Sequence, residues 1–456
     1  MQLRLAEFRR ELRPMWGLAW PLAVAELGWM AQGLIDLIMA GPLGAAAIGA
    51  GSLANMLFYP IAICGTGVLL GMDTLVAQSH GAEDPRDCRK TLVNGVWVSL
   101  GLTPPLIAIM LGLIPLMRAL GTNPHVLVQF EPYLRALIWS ILPLLLYSAF
   151  RRYLQAVDIV KPVTFSLLSA NVVNVVGNWV LMYGHWGAHA MGLEGSGWST
   201  AIARLYMAAV LFVALIWHER ATGRLLIQIS WRPHWDRIRR LILLGVPAAG
   251  QIGIEGGLFA VVTVLVAKLD EASLAAHSIT VNVVSTTFMV PLGISSAAAV
   301  RVGQAVGRKD LRGVALSGWT AVLFGALFMG SAGLALGFLP RWIVRVFSAD
   351  PAVISSGAVL LQIAALFQLF DGFQVVSTGA LRGLGDTRTP MLAHLAGYWV
   401  VGLPISYVLC FHFGWGARGI WTGLSIALIL IGASLLLVWR GRVRSLLPIQ
   451  EHAPPV

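Results

Sequence analysis

Twelve apolar runs follow one another along this chain, separated by short polar breaks: residues 15–40, 45–76, 92–117, 126–150, 160–183, 192–217, 241–267, 272–300, 314–340, 354–381, 389–412 and 416–439. A helix needs about 20 apolar residues to cross a bilayer, and each run is at least that long. The runs do not alternate polar and apolar residues as barrel strands would, so the backbone must satisfy its own hydrogen bonds as α-helix. Composition agrees: 57% of the residues are hydrophobic, 12% are charged and mean hydropathy is +0.77, against about 25% charged residues in soluble domains. The expected fold class is an all-α polytopic membrane protein with twelve transmembrane helices. Met1–Arg13 is charged and leads into a full-length run with no small-residue cleavage site, so we read it as the start of the first span, not a signal peptide.

The net charge of +11 suggests nucleic acid only if its placement is ignored. Of the 32 Lys and Arg residues, 25 lie at the N-terminus, in or at the edge of the even-numbered breaks, and at the C-terminus. The odd-numbered breaks and their edges hold only Arg118, Lys268, Arg341, Arg345 and Arg418, and Arg135 and Arg204 fall well inside runs. Basic residues collect on the cytoplasmic side of a membrane, so both termini are expected there, with no nucleic-acid partner. The three cysteines, Cys64, Cys88 and Cys410, form no CxxC pair and no His/Cys cluster, so neither a disulfide framework nor a zinc site is indicated. "GTGVLLG" (65–71) has no strand before it and no Lys-Ser/Thr after it, and is not a phosphate loop. No nucleotide motif appears elsewhere, and no cofactor is expected.

The two halves resemble each other. "AQSHGAEDPRDCRK" (77–90) aligns with "GQAVGRKDLRGVAL" (303–316) at an offset of 226, bringing Gln78, Gly81 and Asp84 onto Gln304, Gly307 and Asp310. Pro21 and Pro247 share that offset. "AVDIVKPVTF" (156–165) answers "GLGDTRTPML" (383–392), and "GLEGSGWSTAIA" (192–203) answers "GARGIWTGLSIA" (416–427). The reading is an N-terminal six-helix bundle over 1–217, a basic cytoplasmic linker over 218–240, and a C-terminal six-helix bundle over 241–456 with a short cytoplasmic tail. Parallel repeats of this kind typify alternating-access transporters, with the substrate site between the halves.

Four carboxylates sit within the runs and away from the breaks: Glu26 and Asp36 in the first, Glu255 in the seventh and Asp371 in the tenth. Glu255 stands fifteen residues after Arg240 and thirteen before Lys268, roughly 20 Å of helix from either. A charge at that depth costs about 2.5–3.5 kcal/mol on insertion scales. A chain keeps it to face a cavity, to bind a cation or to titrate; the bland alternative is a fixed interhelical partner, Arg135 or Arg204 among them. If runs seven and ten are neighbours, Glu255 and Asp371 can share one proton or one sodium ion. Glu26, nearer the cytoplasmic end, can also snorkel. In the fifth run Asn171, Asn174 and Asn178 share one helical face, either as glue between helices or as cavity lining. His277 and His394 are read as hydrogen-bonded structure. The 14 Met and 17 Trp suit an adaptable apolar pocket, although most serve lipid-facing and packing surfaces.

On "GALRGLGDTRTPM" (379–391), "LVAQSHGAED" (75–84), "VGQAVGRKD" (302–310) and the trio Asp36, Glu255 and Asp371, the chain resembles the multidrug and toxic compound extrusion (MATE) family, and within it the NorM-like branch, from about Glu11 to Arg440. The resemblance implies two pseudo-symmetric six-helix bundles in a V-shaped MATE fold. It implies antiport: export of small cationic amphipathic drugs and dyes in exchange for H⁺ or Na⁺, by a monomer in the inner membrane. Glu255 and Asp371 would form the cation site of the second half, binding the metal ion if the coupling ion is Na⁺. Asp36 would form a polar site of the first half with Asn174 and Asn178; Glu26 is added as a further cavity-lining candidate. Some sodium-coupled members carry a tyrosine one turn before the tenth-span aspartate; Phe367 stands there, which tilts the choice toward H⁺. A lipid or oligosaccharide flippase of a related superfamily is the main alternative, but it would carry a basic central cavity. An integral-membrane enzyme would need a clustered His/Asp or metal constellation, which the chain lacks, and a channel fits the repeat less well than alternating access.

Overall fold

The computed structural model describes residues 5–222 and 230–446. Residues 1–4, part of the basic linker (223–229) and the tail after Leu446 lie outside the described residues. All regular structure among the described residues is helical, and it includes eleven helices long and apolar enough to cross a membrane, or twelve when a pair bent by 41° counts as one span.

That bent pair is the fourth span, expected as one run over 126–150. It comprises α5 (Pro124–Ile138) and α6 (Ile141–Ala156), and the break falls at Trp139–Ser140. Its position follows from Pro143, which lands in the first turn of α6, where a missing N–H leaves no carbonyl unserved. The second span also divides, into α2 (Ala45–Val68) and α3 (Gly71–Gly81). The remaining helices of the first half are α1 (Leu5–Ala40), α4 (Pro85–Ala119), α7 (Lys161–Leu181) and α8 (Leu193–Ala221).

The second half contains α9 (Trp235–Val266), α10 (Glu271–Gly307), α11 (Leu311–Phe338), the short α12 (Pro340–Arg345), α13 (Pro351–Leu384) and α16 (Ala417–Leu446). Between the last two, one span runs from Arg388 to His412. It opens as α14 (Arg388–His394), widens into π-helix over Leu395–Gly402, tightens as α15 (Leu403–Tyr407), and widens again over Val408–His412. Pro404 cannot donate to the carbonyl of Val400 and crowds it. The wider winding just ahead of it relieves that conflict.

Two compact units emerge. One comprises residues 24–80 and 84–249, with a core that includes Phe58, Phe130, Tyr133, Leu144 and Leu167. The other comprises residues 5–23, 81–83 and 250–446, with a core built on Phe367, Tyr398, Trp421, Leu428 and Trp439. The first part of α1, residues 5–23, therefore belongs with the second half, and the first part of α9, residues 235–249, with the first.

The internal repeat recurs in the backbone. Asp84 caps α4 by accepting the N–H groups of Arg86 and Asp87, each at 3.0 Å. Asp310 caps α11 by accepting that of Gly313 at 2.8 Å. Side-chain caps of this kind each stabilise a helix by about 1 kcal/mol. The residue before each cap is left-handed: Glu83 has φ 57° and Lys309 has φ 59°. Asp158 (φ 64°) answers Gly385 (φ 89°), and Gly192 (φ 61°) answers Gly416 (φ 57°). Each half thus turns its chain at the same three places.

Candidate cation sites

In the first half, α1 supplies Asp36, which is 8% exposed. Its Oδ1 accepts from Asn178 Nδ2 of α7 at 2.8 Å, and its Oδ2 accepts from Thr200 Oγ1 of α8 at 3.1 Å. Asn178 also donates to Asn174 Oδ1 at 3.4 Å, and Ser199 Oγ donates to the Asn174 carbonyl at 2.8 Å. The asparagine stripe divides here. Asn174 and Asn178 surround the carboxylate, whereas Asn171 donates to the Gly28 carbonyl at 3.1 Å and joins α7 to α1. Arg204 lies one turn beyond Thr200 on α8. It is buried, donates from Nη1 to Ser140 Oγ at 2.6 Å, and stacks its guanidinium over Phe58 at 4.9 Å. The break in the fourth span thus presents Ser140 to an in-span cation. Glu26, ten residues before Asp36 on α1, is held by an ion pair with Arg151 of α6.

In the second half, Glu255 of α9 is half-buried and Asp371 of α13 is 3% exposed. Glu255 Oε1 accepts from Gln374 Nε2 at 3.4 Å and from the Tyr398 hydroxyl at 3.3 Å. Gln374 follows Asp371 by three residues and so shares its face of α13. The Gln374 bond thereby sets Glu255 against the face of α13 that carries Asp371. Tyr398 lies in the π-helical stretch, and its neighbour Trp399 donates from Nε1 to the Ile254 carbonyl at 3.1 Å. The wide turn lets two consecutive residues reach two consecutive residues of α9.

One contrast defines this site. Glu11, Glu26, Asp73, Glu131 and Asp386 each pair with an arginine. Among the described residues, neither Glu255 nor Asp371 has a basic partner, and no hydrogen bond reaches Asp371. Two carboxylates at membrane depth need a counter-charge from elsewhere. The donor set of two carboxylates, an amide oxygen and a phenol offers hard oxygen ligands, suited to a proton or a small hard cation.

The other in-span candidates have fixed roles. Phe367 is buried and stacked on Trp421, with ring centroids 6.4 Å apart. Trp421 Nε1 donates to His277 Nδ1 at 3.1 Å. His394 bonds the Pro390 carbonyl through Nδ1 at 2.7 Å and meets Gln251 at 3.3 Å through Nε2. Arg135 pairs with Glu131, four residues before it. Thr200, Gln374 and Tyr398 were not singled out from the sequence. Only Gln374 carried a signal there, its position three residues after Asp371.

A multi-pass helical membrane protein with oxygen-donor sites at the depth of its spans is the class that the fold and these residues define. The chain belongs to the MatE family, whose model matches residues 21–180 and 247–408; this is a family of transporters, not enzymes. It is 36% identical over 450 residues to the probable multidrug resistance protein NorM of Mesorhizobium japonicum, covering 97% of this chain and 96% of that one. It is 34% identical to the protein of the same description from Brucella suis, covering 94% and 93%. Among solved structures, the eukaryotic MATE transporter AtDTX14 superposes with a TM-score of 0.86 at 19% identity, covering 96% of this chain and 98% of that one. A MOP superfamily transporter from Pyrococcus furiosus gives 0.87 at 15% identity, covering 98% and 99%.

Proposed function

We propose that this protein is a multidrug efflux antiporter of the inner membrane, with both termini cytoplasmic, that exports small cationic amphipathic molecules in exchange for H⁺ or Na⁺. The observation that carries the reading is the Glu255–Asp371 pair, which has oxygen donors around it and no basic partner among the described residues. An exchangeable cation supplies the missing charge, and its arrival and departure couple to the cycle. One monovalent cation moving down 100 mV releases about 2.3 kcal/mol, enough to hold roughly a 50-fold substrate gradient. The named relatives are described as multidrug resistance proteins, which supports organic cations as cargo. Phe367 has no hydroxyl and is stacked in the core, which keeps the choice of ion on the side of H⁺.

The test is initial dye uptake into inside-out vesicles with pH and Na⁺ gradients imposed separately. Glu255→Gln and Asp371→Asn should each insert normally and lose gradient-driven accumulation. The double variant should be little worse than either single one, because parts of one unit do not add. Wild-type uptake by Glu255→Gln would defeat the proposal. Uptake that follows Na⁺ at constant pH would reverse the choice of ion.

A further inference from the structure

A second feature lies apart from both carboxylate sites. Trp16 and Trp20 of α1 stack with centroids 5.7 Å apart, and Trp16 meets Phe324 of α11 edge-on at 5.8 Å. Together with Phe328 of α11 and with Val290 and Ile294 of α10, they line a wholly apolar groove of about 340 Å³. Both indoles remain about half exposed, at 56% and 53%. Tryptophans at the end of an apolar run take the placement that aromatic belts favour at a membrane interface. Below the groove, Arg301 of α10 and Ser317 of α11 both donate to Glu11, fixing the helices that form its walls.

The charge at the groove's end decides what fills it. Arg13 precedes Trp16 by three residues and Trp20 by seven, so all three lie on one face of α1. Arg10 lies one turn further toward the N-terminus. Both arginines are exposed, and among the described residues neither pairs with an acidic side chain. Two unpaired guanidinium groups at the mouth repel an organic cation and attract phosphate, while rigid aromatic walls behind them receive a hydrocarbon chain.

We propose that this groove is a binding site for an anionic phospholipid, with one acyl chain between the Trp16–Trp20 pair and Phe324 and with its phosphate on Arg10 and Arg13. The probe is phosphatidylglycerol against phosphatidylcholine, each with brominated acyl chains, in bilayers holding the full-length protein. The quenching due to Trp16 and Trp20 is read by subtracting a Trp16→Phe/Trp20→Phe variant. It should appear at a lower mole fraction of the phosphatidylglycerol. Each arginine replaced by glutamine should cut that preference by about fivefold. A native mass measurement of phosphatidylglycerol retained by wild type and by Arg10→Gln/Arg13→Gln needs no tryptophan variant, and should show the lipid lost from the latter. Equal quenching by the two lipids, or a preference that survives loss of both arginines, would overturn the proposal. Relief of quenching by tetraphenylphosphonium would overturn it too and mark the groove as a site for organic cations.

Discussion

The Tyr398 hydroxyl stands 3.3 Å from Glu255 Oε1 and 3.3 Å from Gln374 Oε1, so one phenol joins α9 to α13 through a span that is locally π-helical. Removing it takes away the tyrosine's contribution to the orientation of both carboxyl-bearing helices. Tyr398→Phe preserves the ring and its packing. A hydrogen bond to a charged group contributes about 1.5–3 kcal/mol, so gradient-driven dye uptake should fall by about tenfold to a hundredfold. Uptake at the wild-type rate, with normal insertion, would make the phenol a spectator.

The first-half site depends on a threonine. Thr200→Val keeps the shape of the side chain and leaves Asp36 Oδ2 without its donor at 3.1 Å. Dye efflux should drop by about tenfold, Thr200→Ser should restore most of it, and Asp36→Asn should lose more than either. If valine transports as well as serine, the hydroxyl is not part of the working site.

Helices α10 and α13 touch at backbone range. A Cβ added at Gly379 would lie 2.1 Å from the Ser295 carbonyl oxygen, and Ser295 Oγ already donates to the Val375 carbonyl at 2.7 Å. Gly379→Ala should destabilise the protein by about 1–3 kcal/mol, seen as a lower Tm in detergent. Gly101, with nothing within 4 Å of the added atom, provides the control: alanine there should leave Tm unchanged or raise it.

Asp386, in the turn between α13 and α14, carries a pH signature outside the spans. Burial pushes its carboxyl up. Hydrogen bonds from the Thr389 backbone and side chain and from Arg442 outweigh that and hold it below its ordinary value. A lowered carboxyl adds stability above its unfolded-state pKa, about 3.9, and that contribution is lost as pH falls through the folded value. Thermal unfolding of wild type and Asp386→Asn should therefore differ at pH 7, and the gap should narrow below about pH 4. A gap that stays constant down to pH 3 would show that the ionised form contributes nothing.

Much of the architecture was legible because water, lipid and charge leave coarse marks. Long apolar runs showed the spans, and the clustering of arginine marked their breaks. "GLGDTRTPM" stood out as a motif, and its physical content is a left-handed Gly385 that ends α13 followed by Asp386, which accepts both the backbone N–H and the hydroxyl of Thr389. Charged residues at depth drew attention to Asp36, Glu255 and Asp371. Of their uncharged partners only Gln374 left a trace, three residues after Asp371; a threonine or a tyrosine in an apolar run looks like its neighbours until another helix is placed beside it. Tyr398 also depends on a winding that no 3.6-residue period reveals. The asparagine stripe shows the limit of spacing alone: Asn171, Asn174 and Asn178 share a face, yet one joins helices and two surround a carboxylate.

Glu11 and its partners also set an order of events during synthesis. The carboxylate leaves the ribosome 290 residues before Arg301 and 306 before Ser317. At 5–20 residues per second that interval is about 15–60 s. Throughout it the first helix carries an acidic residue whose counter-charge does not yet exist. The second half therefore cannot close its own cluster from nascent chain alone; it must recover a segment made some 290 residues earlier. A gene split at the central linker would ask two separately inserted polypeptides to reunite one ion pair, and residues 5–23 would have to travel with the later fragment for that fragment to be whole.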